Sequence, residues 1–356
     1  MDLTEYLNRS IEALIKSALR AAVFKPNAVR FITGFGGAQA AARDRRIAHE
    51  QEGLHVPPFL IAGITAGCNL RCAGCYAQTQ GCGCGAELPA ERWSGIFSQA
   101  QELGVAFILL AGGEPLLRHD VLEAATRFPK MVFPVFTNGT LLDAEKVRFF
   151  EKNRNLVPFI SIEGGNATTD RRRGSGVYGS TQRAMAELRH AGVLFGASVT
   201  VTRENMPEVT EAGFIAGLRE AGCDAVIFVE YVPVGADAGM EALSDCEREE
   251  LNARIEALRG SQQMLLVSFP GDEKETGGCV AAGRGFIYIE PDGRAEPCPF
   301  SPFSDISLAD CTLEQALRSG FFARLRDYGI LSQPHDGGCL LFQRQEQVKA
   351  ALAEGE

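Results

Sequence analysis

Gly67-Cys68-Asn69-Leu70-Arg71-Cys72-Ala73-Gly74-Cys75-Tyr76 sets three cysteines in a CxxxCxxC spacing, directly after the apolar run Phe59-Leu60-Ile61-Ala62-Gly63-Ile64-Thr65. A short apolar run that ends on a glycine-bearing segment reads as a buried strand feeding a loop. Three thiolates this close, on a loop with two glycines, suit one small inorganic core. Iron–sulfur clusters are held by thiolates, usually four per cubane. Three are supplied here, which leaves one iron to bind something else. A zinc site is the competing reading, but zinc usually takes paired CxxC or Cys and His together, and no His stands nearby in ligand spacing. Core-filling cysteines are the other; free Cys behaves as a small hydrophobe, whereas these alternate with Asn, Arg and Gly.

The chain of 356 residues is long enough for one large domain and a smaller one. Its 46% hydrophobic and 22% charged residues are those of a globular protein. No run approaches the roughly 18–20 apolar residues of a membrane span. The start, Met1-Asp2-Leu3-Thr4-Glu5, has neither the basic region nor the apolar core of a secretory signal. A net charge of −10 argues against a nucleic-acid binder with a general basic surface. Eleven cysteines without a signal fit the cytoplasm, where thiols serve metals or catalysis more often than disulfides.

Residues 1–56 read as an amphipathic helical extension, with Ile11, Leu14, Ile15, Ala18 and Leu19 at helical spacing and Lys16, Arg20, Lys25, Arg30, Arg43, Arg45 and Arg46 interspersed. Helices packed on the main domain are one expectation. A peripheral surface that touches lipid or an acidic partner is the other. From Pro57 strands and helices alternate. Strands are expected at 59–65, 105–110, 131–137, 156–162, 194–202, 225–231 and 264–269, with helices at 89–103, 143–152, 178–190, 207–220 and 245–258. This pattern implies parallel strands joined by crossover helices. The fold class is α/β, a partial (β/α)6-type TIM barrel over 57–270, and in such barrels the chemistry sits on loops after the strands' C-terminal ends.

The special residues do follow strands. Ala111-Gly112-Gly113-Glu114-Pro115 comes after the second; its glycines permit close approach to the backbone, and Glu114 can accept hydrogen bonds from an ammonium. Thr137-Asn138-Gly139, Ser161-Ile162-Glu163-Gly164 and Asp170-Arg171-Arg172-Arg173-Gly174 come later. Thr200 and Thr202 end the fifth strand, and Val229-Glu230-Tyr231 the sixth. Glu230 is an unusual charge in an apolar strand.

In these residues the chain resembles the radical S-adenosylmethionine (SAM) superfamily over roughly residues 57–345. The resemblance implies that Cys68, Cys72 and Cys75 hold a [4Fe-4S] cluster whose open iron takes the amino and carboxylate groups of SAM. An aromatic beside the last cysteine, here Tyr76, belongs to the pattern. Gly112, Gly113, Glu114 and Pro115 match the motif that binds the methionine amino group. Thr137, Asn138 and Ser161 resemble positions near the SAM ribose and carboxylate, and Arg173 is the candidate for reaching that carboxylate. Thr200 is a further candidate contact. Glu163 stands where the family often has Asp and is a candidate for touching SAM or substrate. Glu230 lies near the expected adenine position, and both glutamates are candidate catalytic residues.

After Pro270 a hairpin is expected, Phe286 to Glu290, then the turn Pro291-Asp292-Gly293, then Arg294 to Pro297. It brings Cys298 near Cys279, and Cys339 arrives later. Cys279, a glycine with four residues between it and Cys298, and a late cysteine resemble the auxiliary-cluster extension called SPASM, or its shorter twitch form. The chain lacks the central cysteine run of the complete form, so the resemblance implies one auxiliary iron–sulfur cluster on a small α+β domain over 271–345, followed by a tail at 346–356. Cys279, Cys298 and Cys339 are the expected ligands, with Cys311 the thiol candidate for a fourth and His335 or Asp336 as substitutes. Metal-free structural cysteines are the alternative. Cys82 and Cys84 carry no assigned role, and Cys223 and Cys246 read as packing residues.

The resemblance implies reductive cleavage of SAM to a 5′-deoxyadenosyl radical that removes a hydrogen atom from substrate, fed by an external flavodoxin- or ferredoxin-like electron donor. A peptide or protein side chain is the first expectation for the substrate and a lipid or isoprenoid the second. A non-catalytic electron-transfer protein is the third reading, and the intact Gly-Gly-Glu-Pro motif argues against it.

Overall fold

Strands β1 (Phe59–Thr65), β2 (Phe107–Gly112), β3 (Phe133–Thr137), β4 (Leu156–Ser161), β5 (Gly196–Val201), β6 (Ala225–Glu230) and β7 (Leu265–Phe269) lie side by side in chain order, every pair parallel. The computed structural model describes residues 3–21, 26–79, 85–234, 239–261, 264–269, 276–333 and 339–354. The helices between strands form because apolar residues recur on one face. In Ala90–Leu103 the buried set is Trp93, Ile96, Phe97, Ala100 and Leu103, three or four apart. That helix stops at Gly104, whose φ of 95° is the left-handed cap conformation that glycine adopts without strain. The expected single helix over 207–220 is two, Met206–Val209 and Ala212–Glu220.

Two further strands, β8 (Tyr288–Ile289) and β9 (Ala295–Glu296), form the hairpin read from Pro291-Asp292-Gly293. The hairpin is not separate from the barrel strands. Its β8 pairs in parallel with β1, Ile61 opposite Tyr288, so the sheet runs β7-β6-β5-β4-β3-β2-β1-β8-β9. The sheet has barrel-like order but does not close, with β7 at one edge and β9 at the other. Phe286 spans the seam, its ring 5.2 Å from Phe59 of β1 and 5.6 Å from Phe269 of β7. Within the expected C-terminal tail, residues up to Ala353 belong to the helix Gln345–Ala353, which buries Val348 and Ala351.

The two faces of the strands differ. Ile108 and Leu110 of β2 and Val226 and Phe228 of β6 point outward beneath the helices and are 0% exposed. Their neighbours Phe107, Leu109, Ile227 and Val229 point inward and are only partly buried. The inner face surrounds a cavity of about 1650 Å³.

Helices α1 (Leu3–Ala21) and α2 (Pro26–Gln51) close the end of the sheet where the strands begin. Phe35 of α2 lies 5.4 Å from Phe107, the first residue of β2, and shares a buried cluster with Val132, Val157, Phe159 and Ala225. Gln39 donates to the carbonyl of Lys130 just before β3. Arg46 is buried; it donates to the carbonyl of Gly104 and to Asn8 Oδ1 of α1. Burial, then the charges of Arg45 and Arg43, push its pKa down to about 10. Leu7 and Ile11 of α1 are buried. Ile11 of the apolar stripe read from the sequence is thus buried on the chain itself.

Candidate functional site

The cysteine loop is held by the loops after the neighbouring strands. Gly113 N donates to Thr65 O at 2.7 Å and Glu114 N to Gly67 O at 2.8 Å. The approach is so close that a Cβ on Gly113 would stand 2.0 Å from Gly67 O. Gly112 has φ 110°, and a Cβ there would lie 2.4 Å from Thr65 O. The two glycines thus admit the backbone of the cysteine loop itself, where the sequence suggested room for a ligand. On the next strand, Asn138 Nδ2 donates to Asn69 Oδ1 (2.9 Å), and Asn69 Nδ2 to Thr140 Oγ1 (2.8 Å). Glu87 accepts from Thr65 Oγ1 and Ala66 N, and is itself paired with Arg118 at 2.9 Å. Ala73 N donates to the carbonyl of Arg172.

Glu114 is buried at the cavity wall and caps the short 3-10 helix Pro115–Leu117 by accepting from Leu116 N. It also accepts from Thr137 Oγ1 at 2.6 Å and Asn138 N at 2.8 Å. Burial lifts its pKa above the ordinary carboxylate value, and these hydrogen bonds and Arg173 offset part of the rise. Ser161, Thr200, Arg172 and Arg173 line the same cavity as Cys68, Cys72 and Cys75. Ser161 Oγ sits 3.1 Å from Ser198 Oγ.

Glu163 lies behind the two arginines of the cavity wall. It is 0% exposed and absent from the cavity wall. One oxygen takes Arg172 Nη1 (2.5 Å) and Arg173 Nε (2.7 Å), and the other accepts from Thr200 N (3.1 Å). Its carboxylate anchors two arginines, and Arg173 Nη1 reaches to 3.9 Å from Cys72 Sγ. Glu230 is on the cavity wall and pairs with Arg248 at 2.7 Å. Tyr231 packs on the cysteine loop: a Cβ on Gly74 would meet its ring at 2.8 Å.

Tyr76 joins the two groups of cysteines. Its ring packs on Phe300 and its hydroxyl is hydrogen-bonded to Tyr288. Burial, then Cys75, Glu290 and Cys298, raise its pKa. Cys279, Cys298 and Cys339 are all buried and come together: burial, then Cys339 and Cys279, push the Cys298 thiol well up. Cys311 is the candidate for a fourth thiol ligand. It lies half-buried in the turn before the helix Leu313–Leu317, where Arg92 takes its carbonyl at 2.7 Å. His335, Asp336, Cys82 and Cys84 lie outside the described residues. Cys223 is buried as expected of a packing residue, but Cys246 is exposed. Every described cysteine is a free thiol, and no three His, Cys, Asp or Glu among the described residues close around a single metal ion.

The donor set suits thiolate-held clusters. The first three cysteines share one loop on the cavity wall; burial raises the Cys72 thiol's pKa, and the neighbouring Arg173 and Arg172 offset part of the rise. The second three form a buried thiol group. Arg172, Tyr288, Glu87 and Arg118 were not read from the sequence. Only Arg172 gave a signal, as the middle of a charge run, and its partners come from other loops.

The Radical SAM superfamily model matches residues 63–216. The AdoMet-dependent heme synthase of Methanosarcina barkeri is 30% identical over 304 residues, 76% of this chain and 85% of that protein. The chain belongs to the radical SAM superfamily. Membership brings SAM and a [4Fe-4S] cluster, and makes the protein an enzyme of this class. The PqqA peptide cyclase of Gluconobacter oxydans is 28% identical, covering 69% of this chain and 71% of that protein. The crystal structure of Streptococcus suis SuiB bound to precursor peptide SuiA superposes with a TM-score of 0.63 at 16% identity, over 83% of this chain and 69% of that one. These relatives and the fold fit a radical SAM enzyme of the SPASM or twitch type.

Proposed function

We propose that this radical SAM enzyme abstracts a hydrogen atom from its substrate at the cavity beside Cys68, Cys72 and Cys75, with a second iron–sulfur cluster at Cys279, Cys298 and Cys339. When bound, the [4Fe-4S] cluster and SAM supply reductive cleavage of the sulfonium to a 5′-deoxyadenosyl radical, on one electron from an external flavodoxin- or ferredoxin-like donor. The protein's part is placement. Glu114 presents a buried carboxylate toward an amino group, and Thr137 and Asn138 fix its orientation. Glu163 holds Arg173 at Cys72, where the guanidinium can meet a carboxylate in bidentate fashion. The domain reading follows the same division, with cluster and SAM on residues 57–270 and the auxiliary thiols on 271–345.

The observation that carries this reading is the convergence of the loops after β1, β2, β3 and β4 on one cysteine segment. Iron and sulfide counts after anaerobic reconstitution test it. Wild type is expected to hold two clusters' worth. Cys68→Ala/Cys72→Ala/Cys75→Ala and Cys279→Ala/Cys298→Ala/Cys339→Ala should each lose one, and only the first should abolish the change in the electron paramagnetic resonance signal on adding SAM. Equal iron in wild type and the second variant would remove the auxiliary cluster.

For the substrate, a peptide or protein side chain is supported by the PqqA peptide cyclase relative and by the peptide-bound SuiB structure, while the heme synthase relative bears the name of a different product. A second reading, a lipid or isoprenoid, is favoured by the apolar interior of the sheet.

A further inference from the structure

The inner face of the sheet is the emptier one. In a packed barrel the inward side chains fill the interior. Here the outward residues of β2 and β6 are fully buried, while inward residues on β2, β3, β6 and β7 keep partial exposure to the space inside the sheet. The cavity of about 1650 Å³ includes the place beside Cys68, Cys72, Cys75 and Glu114 assigned above to the cluster and SAM, and it continues beyond them toward the floor. It runs from the cysteine loop to Phe35 and Ile15 on the helices that floor the sheet. Strands of six or seven residues make it about 20 Å deep.

Its chemistry is graded. The upper end carries Cys72, Arg172, Arg173 and Glu230, and below them the inner wall of β2 to β6 is lined by Leu109, Phe136, Val157, Phe159 and Ile227. The wall continues past β7 to Tyr6, Leu7 and Ile11 of α1, so α1 covers the side where the sheet is open. Polar groups also stand outside that end: Asp224, at the start of β6, accepts from the amide of Phe195, and Asn252, Glu256, Arg259 and Ser268 line the space beside β7. The β2 to β6 wall between remains apolar, and it matches a hydrocarbon chain carrying a polar group. A peptide lying along that wall would bring backbone N–H and C=O groups to Leu109, Phe136, Val157, Phe159 and Ile227, which offer them no partner.

We propose that this interior binds the acyl or prenyl chain of a lipid substrate, with the chain's apolar end on Phe35 and its functional part at the cysteine loop. This rests on the second substrate reading above and names where its chain lies.

The test is titration of the full-length protein, kept anaerobic, with the fluorescent fatty acid cis-parinaric acid. Saturable binding at one per chain is expected, displaced by palmitate and not by hexanoate. Leu109→Trp and Ile227→Trp fill the interior and should each weaken binding at least tenfold, with the smaller Leu109→Phe and Ile227→Phe intermediate. Circular dichroism and thermal melting identify which variants are folded. Absence of saturable binding by wild type, or unchanged binding by the folded set, would overturn the proposal. So would displacement by an apolar peptide as effective as palmitate, which would move the interior to a peptide. Parinarate binding requires no SAM cleavage. Lost 5′-deoxyadenosine with binding intact counts against the proposed reaction, and the reverse counts against the chain site.

Discussion

Glu114 N donates to Gly67 O at 2.8 Å, which ties the loop after β2 to the first turn of the cysteine loop. The contact exists because Gly113, one residue earlier, has no side chain. Gly113→Ala places a methyl 2.0 Å from Gly67 O, so one of the two loops must move. We expect this variant to lose on the order of 1–3 kcal/mol of stability, with iron incorporation falling alongside. Thermal melting and iron counts check it. Normal iron loading in Gly113→Ala would show that the glycine serves something other than this approach.

Glu163 is expected to act through Arg172 and Arg173. Removing one partner of a buried ion pair typically costs about 3–5 kcal/mol, because the other charge stays buried. Glu163→Gln should therefore lower the melting temperature and weaken SAM binding by tenfold or more. Glu163→Asp should recover part of both. A direct role in the reaction would instead leave SAM binding and stability at wild-type levels while turnover fell.

Glu114 gives the pH dependence. Its pKa is raised, chiefly by burial, so the carboxylate gains its proton at a higher pH than an ordinary glutamate. Protonation removes the charge that would face the SAM ammonium. SAM affinity should be full above that raised pKa and should fall as pH drops through it, approaching about tenfold per unit. Glu114→Gln should bind weakly and show no such fall. Calorimetric titration of SAM across pH distinguishes the two.

The floor of the sheet depends on Arg46, which links α1 to the turn before β2. Arg46→Ala leaves the Gly104 carbonyl without this donor, at a cost of about 1–3 kcal/mol. Hydrogen exchange should rise mainly in α1 and α2. Uniformly faster exchange across β1 to β7 would mean that the helices are needed for the whole sheet.

The order of strands and the loops bearing Cys68, Glu114, Thr137 and Arg173 were legible because periodicity and strand-end position are local properties of the chain. What was not legible depends on partners far apart in sequence. The pairing of Glu163 could not be read locally, because its two arginines fold back from nine and ten residues later. That the hairpin extends the barrel sheet was not legible, because nothing local reveals that Tyr288 pairs with Ile61, more than two hundred residues earlier. The floor was read only as one of two fates for an amphipathic segment, since a helix that packs on its own sheet and one that packs on lipid have the same stripe.

The measurement closest to the central claim is 5′-deoxyadenosine formation. Protein reconstituted anaerobically with iron and sulfide, then given dithionite and SAM, is scored by chromatography beside Cys68→Ala/Cys72→Ala/Cys75→Ala. The account predicts product from wild type and none from the variant. Equal product from both, or none from a wild type that holds its clusters and binds SAM in the presence of its substrate, would contradict it.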